Sequence, residues 1–329
     1  MSKKWIFRIF FSIVVMIQIW FLFVMLHYPF LGFVVNQTDG KWVITSIDSR
    51  SQASELGLQI GDIVVSADRK NVGELPSVIR WGTVDKVKQI QVLRNGIVHQ
   101  FDTGVLSPVT TQDITFLVSE FICLFIAFVL YKWMRHSHSA LYLAYLFFSI
   151  GLVFMSLGSS VRGDAVGKFA VSIGMFLVPT AFLHFLIVLL KEKGNLSLRH
   201  FLKFSYSFII VSIVFQLPFF FNWKFNLALH RYLSTSTLTF FVVGILFDSW
   251  FIFHTYYRNK RKNPYVATII KTVGASFAIS TLPVICLSFI PNILYGKEWI
   301  NSLYTCWFVL FFPLSFTYLL AAKKIYDID

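Results

Sequence analysis

Acidic side chains and cysteine are scarce in this 329-residue sequence: Asp and Glu number 16 against 29 Lys and Arg, and there are 3 Cys. Charged residues make up 14% of the chain and hydrophobic ones 56%. No soluble domain could cover that much apolar side chain with polar surface, so a membrane protein is the class indicated. Cys123, Cys286 and Cys306 each sit inside an apolar run, which excludes a disulfide framework or a cysteine-based metal spacing. None of the eight His is followed by Glu, so the His-Glu-x-x-His motif of zinc proteases is missing. The sequence also lacks a Gly-x-Ser-Gly nucleophile turn, a paired Gly-x-Gly-Asp aspartate and a Gly-rich phosphate loop. No catalytic residue, metal or cofactor is expected, and His136-Ser137-His138 alone is too small a set to hold a metal.

The abundant residues are apolar, Phe above all, with 38 copies. A bilayer core of roughly 30 Å needs about 20 apolar residues as helix. Runs near that length lie at about 6–26, 114–131, 140–157, 169–190, 204–221, 236–256, 266–290 and 300–321, which predicts about eight spans. The first follows Met1-Ser2-Lys3-Lys4, but it is too long for a signal peptide and no small-residue cleavage site follows it, so it reads as a retained anchor.

The formal net charge of +13 could point to nucleic acid, but its location argues otherwise. Between Tyr28 and Thr110 eight Lys/Arg balance eight Asp/Glu, so the excess lies around the spans and no nucleic-acid partner is expected. Fifteen cations fall on one side of the spans: Lys3, Lys4 and Arg8, then Lys132 and Arg135, the loop from Lys191 to Lys203, Arg258 to Lys262, and Lys323-Lys324. Five fall on the other: Arg162, Lys168, Lys224, Arg231 and Lys297. The positive-inside rule then predicts a multi-pass protein of a bacterial cell membrane with both termini cytoplasmic and residues 28–110 extracellular.

In 28–110 the apolar period changes from helix-like to strand-like. Leu31–Val35 and Trp42–Ile47 flank Asp39-Gly40, and Ile90–Leu93 and Ile97–Phe101 flank Asn95-Gly96, both dipeptides suited to tight hairpins. Ser51 can cap a short helix ending at Gly57, and Gly61-Asp62 turns the chain into a strand from Ile63 to Ser66. With Leu31-Gly32-Phe33, Glu55-Leu56-Gly57-Leu58, Gly61-Asp62-Ile63 and Arg94-Asn95-Gly96, the segment resembles a PDZ domain in its bacterial arrangement. That resemblance implies that Phe30, Leu31, Gly32 and Phe33 form a carboxylate-binding loop whose following strand accepts a peptide as an added strand. The other groove wall would be a short helix over Glu74–Trp81, with Pro76 in its first turn and Trp81 at its end. A PDZ-shaped spacer that binds nothing is the competing reading.

Ionisable groups at bilayer depth are costly, so each needs an account. Glu120 lies about 9 Å into the second span at roughly 1.5 Å per residue. Asp248 and Lys271, at similar distances from the inner ends of consecutive spans, are expected to form a structural ion pair. His184 and His254 read as satisfied packing residues. Arg162-Gly163-Asp164 and Asn222-Trp223-Lys224 place charge and an indole at the outer interface, as ligand contacts or as interface anchors.

The organisation is thus a first span at 1–27, an α+β insert at 28–110 and a seven-helix bundle at 111–329. With Leu93-Arg94-Asn95-Gly96, Arg162-Gly163, Lys193-Gly194 and the closing Lys323-Lys324-Ile325-Tyr326-Asp327-Ile328-Asp329, it resembles the sensor half of the ComP-type quorum-sensing histidine kinases of Bacillus-type bacteria. The resemblance implies a ComX-type ligand (a secreted peptide pheromone prenylated on tryptophan), a homodimer, and signalling to a ComA-type response regulator that controls competence, through a kinase half beyond this chain. Membrane lipid is the remaining partner, and the sequence leaves open whether the insert or the bundle takes the peptide. Two alternatives stand beside this one: a membrane scaffold or chaperone holding the C-termini of exported proteins in the PDZ-like groove, and a transporter.

Overall fold

The computed structural model describes residues 3–48, 51–133, 137–190, 196–220, 227–295 and 297–312. Helix α1 (Lys3–His27) leads into a six-stranded antiparallel sheet of order β1-β2-β3-β5-β6, with β4 paired to β3. The strands are β1 (Phe33–Thr38), β2 (Lys41–Ile47), β3 (Ile63–Ala67), β4 (Lys70–Asn71), β5 (Gln89–Arg94) and β6 (Ile97–Asp102). The two expected hairpins form where the turn dipeptides stand. Asp39 and Gly40 have φ of 51° and 74°, and Asn95 and Gly96 have 52° and 78°, so both turns supply the two left-handed residues that match the twist of the strands.

Short helix α2 (Gln52–Glu55) begins after Ser51, whose backbone is in the cap position but whose hydroxyl caps nothing, contrary to expectation. Gly57 ends the turn with φ 79°. Helix α3 (Pro76–Trp81) starts at Pro76 and stops at Gly82 in the left-handed conformation. Between sheet and helices lies an apolar core that includes Leu31, Phe33, Val35, Ile44, Val64, Val78, Ile90 and Val92.

The motif glycines are tied to the far hairpin by charge. Arg94 donates from Nε to Asp62 Oδ1 (2.7 Å) and from Nη2 to Asp62 Oδ2 (2.6 Å) and to the Gly57 carbonyl (2.8 Å). Burial works to raise the Asp62 pKa, but the bonds from Arg94 and from the Gln59 N–H (2.9 Å) outweigh it and hold the carboxyl below its ordinary value.

The helices that follow are α4 (Thr111–Trp133), α5 (His138–Ser160), α6 (Ala165–Leu189), α7 (Leu196–Phe220), α8 (Leu227–Lys260) and α9 (Pro264–Val284). Asn263 caps α9, accepting from the Val266 N–H, with Pro264 in the first turn, where its missing N–H costs nothing. After Pro283 the backbone passes through a π turn (Ile285–Phe289) into α10 (Ile290–Tyr295). The Leu287 carbonyl accepts from the N–H groups of both Trp299 and Ile300. Short α11 (Ser302–Thr305) then enters a 3-10 turn at Cys306–Leu310.

Among the described residues, six helical stretches are long and apolar enough to cross a bilayer: Thr111–Lys132, His138–Ser160, Ala165–Leu189, His200–Pro218, Arg231–Lys260 and Val266–Tyr295. These match the second to seventh expected spans. The first lies in α1, where Ser12–His27 is a shorter apolar stretch, and residues 313–321 of the eighth lie outside the described residues.

The chain divides into two compact units. The first comprises Met1–Val118, Phe154–Val171 and Phe215–Tyr232, the second Ser119–Val153, Ser172–Val214 and Leu233–Asp329. In the second, the apolar effect does little between helices in lipid, so close approach and ring packing hold them. Phe182 stacks on Phe277 at 4.2 Å, Phe208 on Phe240 at 5.2 Å, and Gly244 faces Pro179 where a Cβ would lie 2.8 Å from the ring. His184 is satisfied within it, its ring tilted against Tyr142 at 4.0 Å and bonded through Nδ1 to the Tyr206 hydroxyl at 3.0 Å.

Candidate functional site

The loop expected to bind a carboxylate, Phe30 to Phe33, packs its apolar side chains into the insert. Leu31 and Phe33 are each 1% exposed and belong to the core, and Phe30 is buried. Gly32 has φ 60°, and its carbonyl accepts from Asp48 N–H at 2.8 Å, while the Phe30 carbonyl accepts from Gln52 N–H at 3.0 Å. Along the outer edge of β1, where an added peptide strand would pair, the chain's own residues already sit. Val35 N–H donates to the Gly82 carbonyl at 2.7 Å, and Val34 bridges Thr83. The segment from Gly82 to Thr83 reaches that edge because α3 ends there in a left-handed turn.

Arg162, in the turn between α5 and α6, organises a second place in the same unit. Its side chain is fully buried, and all five guanidinium N–H groups have partners. Two go to Asp113, from Nη1 to Oδ1 at 2.8 Å and from Nη2 to Oδ2 at 2.7 Å. The others reach the carbonyls of Tyr28 (2.7 Å), Gly158 (2.6 Å) and Pro108 (2.7 Å). One cation thus joins the end of α1, the exit from the sheet, the start of α4 and the last turns of α5. Asp113 is fixed in turn by the Thr110 N–H and hydroxyl, both at 2.7 Å, and the Thr110 hydroxyl accepts from Asp113 N–H at 3.3 Å. This reciprocal cap starts α4.

Next to it, Asp164 caps α6 by accepting from Gly167 N–H (2.8 Å), and it also takes bonds from Lys86 Nζ (3.0 Å) and Trp20 Nε1 (3.3 Å). Asp85 accepts from the Thr83 hydroxyl. Burial raises its carboxyl above the ordinary range, against the pull of Lys168, Thr83, Lys86 and Arg162. Gly163, with φ 69°, lies against Asp85 so closely that a Cβ would strike the carboxylate. Trp81 is buried on Phe220, ring centroids 5.7 Å apart, with the Lys168 ammonium 5.2 Å from its ring. Arg80 donates to the Phe220 carbonyl at 3.3 Å. Three acids and four cations therefore pin the sheet insert to the helix ends.

Of the expected site residues, Arg162, Asp164 and Trp81 belong to this cluster and Phe30 to Phe33 line the insert beside Tyr28. Glu120 is buried on α4 in the second unit, and Trp223 lies outside the described residues. Asp248 and Lys271 do not pair: Asp248 is buried with Oδ2 unbonded, while Lys271 is exposed on α9. The reason is depth. α8 continues to Lys260 and α9 starts at Pro264, which puts Asp248 about 18 Å and Lys271 about 10 Å from the ends that face the loop, at ~1.5 Å per residue. Asp113, Lys86 and Asp85 were missed. The Thr110-x-x-Asp113 spacing at the start of a span was the available signal for the first.

No protein-family model matches the chain, and no solved structure matches it. It is 23% identical over 308 residues to the sensor histidine kinase ComP of Bacillus subtilis (strain 168), covering 91% of this chain and 39% of that protein. The chain spans well under half the length of that relative. The apolar helices and this similarity support a membrane-integral protein, and the similarity suggests the membrane sensor of a histidine kinase.

Proposed function

We propose that the chain is the membrane sensor region of a two-component histidine kinase, with the PDZ-like insert outside the cell, detecting a secreted prenylated peptide of the ComX type. The observation that carries this reading is the continuous similarity to a sensor histidine kinase along 308 residues, which takes in the insert and the helices together. The signal passes through the last helix to a cytoplasmic kinase half acting on a ComA-type response regulator, and the working unit is a homodimer.

Chemistry at the junction supports the proposal. A prenyl chain gains about 0.8 kcal/mol per CH₂ buried, which concentrates such a peptide at the outer leaflet. There it meets an insert joined through Arg162 to α1, α4 and α5, so a displaced insert carries helix ends with it. A ligand shifts the equilibrium only if it prefers one arrangement over another. The scaffold reading needs a free β1 edge for added strands, and Gly82 and Thr83 occupy it at Val35 and Val34.

The test is a fusion of this chain, after Asp329, to the dimerisation and ATP-binding half of the Bacillus relative, reconstituted in vesicles with ATP. A panel of synthetic peptides carrying prenylated tryptophan is expected to contain members that raise autophosphorylation several-fold, while their unprenylated forms do nothing. Phosphorylation unchanged by the whole panel contradicts the reading.

A further inference from the structure

In the second unit, α8 and α9 leave an open groove of about 330 Å³ between them. Its walls are almost wholly apolar, from Ile252 and Phe253 on α8 to Phe277, Ala278 and Leu282 on α9. The groove carries one formal charge, the ammonium of Lys271, with the phenol of Tyr256 beside it in the lining. The two helices are joined by only Arg261, Lys262 and Asn263, so they run antiparallel and their shared end is that loop. They approach closely at Gly274, where a Cβ would lie 2.7 Å from Ile252 Cγ2. Tyr256 is one turn toward the loop from Ile252, and Lys271 is one turn toward it from Gly274. Both therefore stand at the loop end of the groove, next to the exposed cations Arg258, Lys260, Arg261 and Lys262.

We infer that this groove binds an anionic phospholipid, with an acyl chain along the apolar wall and the phosphate at Lys271 and Tyr256. An exposed Lys on an apolar helix needs a counter-charge or water, and its long stem lets the ammonium reach the headgroup level. From Lys271 to Leu282 the groove runs roughly 16 Å along the helix, about half of a ~30 Å hydrocarbon core and so the depth of one leaflet. The four loop cations raise the local concentration of acidic headgroups at that end, whichever side of the membrane it faces. Ser249 adds no competing polar demand, because its hydroxyl is already bonded to the Ile245 carbonyl at 2.8 Å.

The experiment uses the full chain in phosphatidylcholine vesicles doped with a trace of photoactivatable phosphatidylglycerol or photoactivatable phosphatidylcholine, and maps the labelled peptides by mass spectrometry. Label from phosphatidylglycerol is expected on α8 near Phe253 and Tyr256 and on α9 between Ile270 and Leu282, at about fivefold or more over phosphatidylcholine, as one interfacial cation supplies. Lys271→Gln is expected to reduce the labelling to the phosphatidylcholine level, Lys271→Arg to keep it, and Ala278→Phe to block the groove for both lipids. Equal labelling by the two lipids in the unaltered chain overturns the inference, and so does label confined to other helices. Label that survives Lys271→Gln in protein with an unchanged melting temperature overturns it as well, as does a crosslink from a second copy's helix seated in the groove. The comparison of the two lipids needs only the unaltered chain, so it tests the inference even where a variant fails to fold.

Discussion

At the scale of single residues, the junction between the insert and the helix ends depends on Arg162 because no other side chain could satisfy the same five acceptor positions. Lys has three donors on one point and cannot span Asp113 and three carbonyls at once. Removing the guanidinium leaves the Asp113 carboxylate buried with half its partners gone, so Arg162→Ala is expected to cost about 3–5 kcal/mol, with Arg162→Lys recovering little of it. Thermal unfolding of the detergent-solubilised chain checks this, and a loss under about 1 kcal/mol would mean that the charge is solvated. Asp62 gives a prediction with a definite sign. Its folded pKa lies below its ordinary value, so the Arg94–Asp62 contribution is complete above the ordinary carboxylate range and disappears as pH falls through the folded value. The stability gap between the native chain and Asp62→Asn should be complete near pH 7 and shrink as pH falls below the ordinary carboxylate range in chemical denaturation. A gap that widens in acid would show that the carboxyl is held above its ordinary value instead. Arg162 was legible as an outer charge, but Asp113 stands 49 positions away, and no local pattern joins residues that only the folded turn brings together.

Among the elements, what the sequence carries best is turn chemistry. Asp39-Gly40 and Asn95-Gly96 set both hairpins because two consecutive left-handed residues leave few other conformations. The helix closing the groove was legible within Glu74–Trp81, where it forms over Pro76–Trp81, yet the fate of the β1 edge was not. It depends on where the chain goes after Gly82, and Thr83-Val84-Asp85 has no periodicity to reveal that. A closed edge makes a measurable claim. The Val35 amide, bonded to Gly82, should exchange with solvent as slowly as core amides of β3 and β5, and a C-terminal peptide should not protect it further. Fast exchange at Val35 that slows on adding such a peptide would reopen strand addition. The misplaced Asp248–Lys271 pair also arose at this scale. Apolar counting ended the sixth span at 256, but the helix runs on through Arg258 to Lys260, whose polarity hides the extra turn.

For the whole molecule, the similarity to ComP suggests a membrane sensor, and the proposal that its insert faces the cell exterior rests on the distribution of charge. Six helices long and apolar enough to span a bilayer, among the described residues, were readable from hydropathy alone, since lipid imposes length and apolarity. The break after Pro283 was not, because a π turn and the carbonyl bonds of Leu287 arise from local backbone adjustment that hydropathy does not register. Orientation is the claim on which ligand access, signal direction and the role of the insert all rest. Its most direct test places one cysteine at Lys70, on the exposed β3–β4 hairpin, in a chain whose three native cysteines are replaced by serine. A membrane-impermeant thiol reagent added to intact protoplasts is expected to label Cys at that position fully, and a control cysteine at Lys262 only after lysis. Labelling at Lys262 in intact protoplasts, with Lys70 protected until lysis, would contradict an outward-facing sensor.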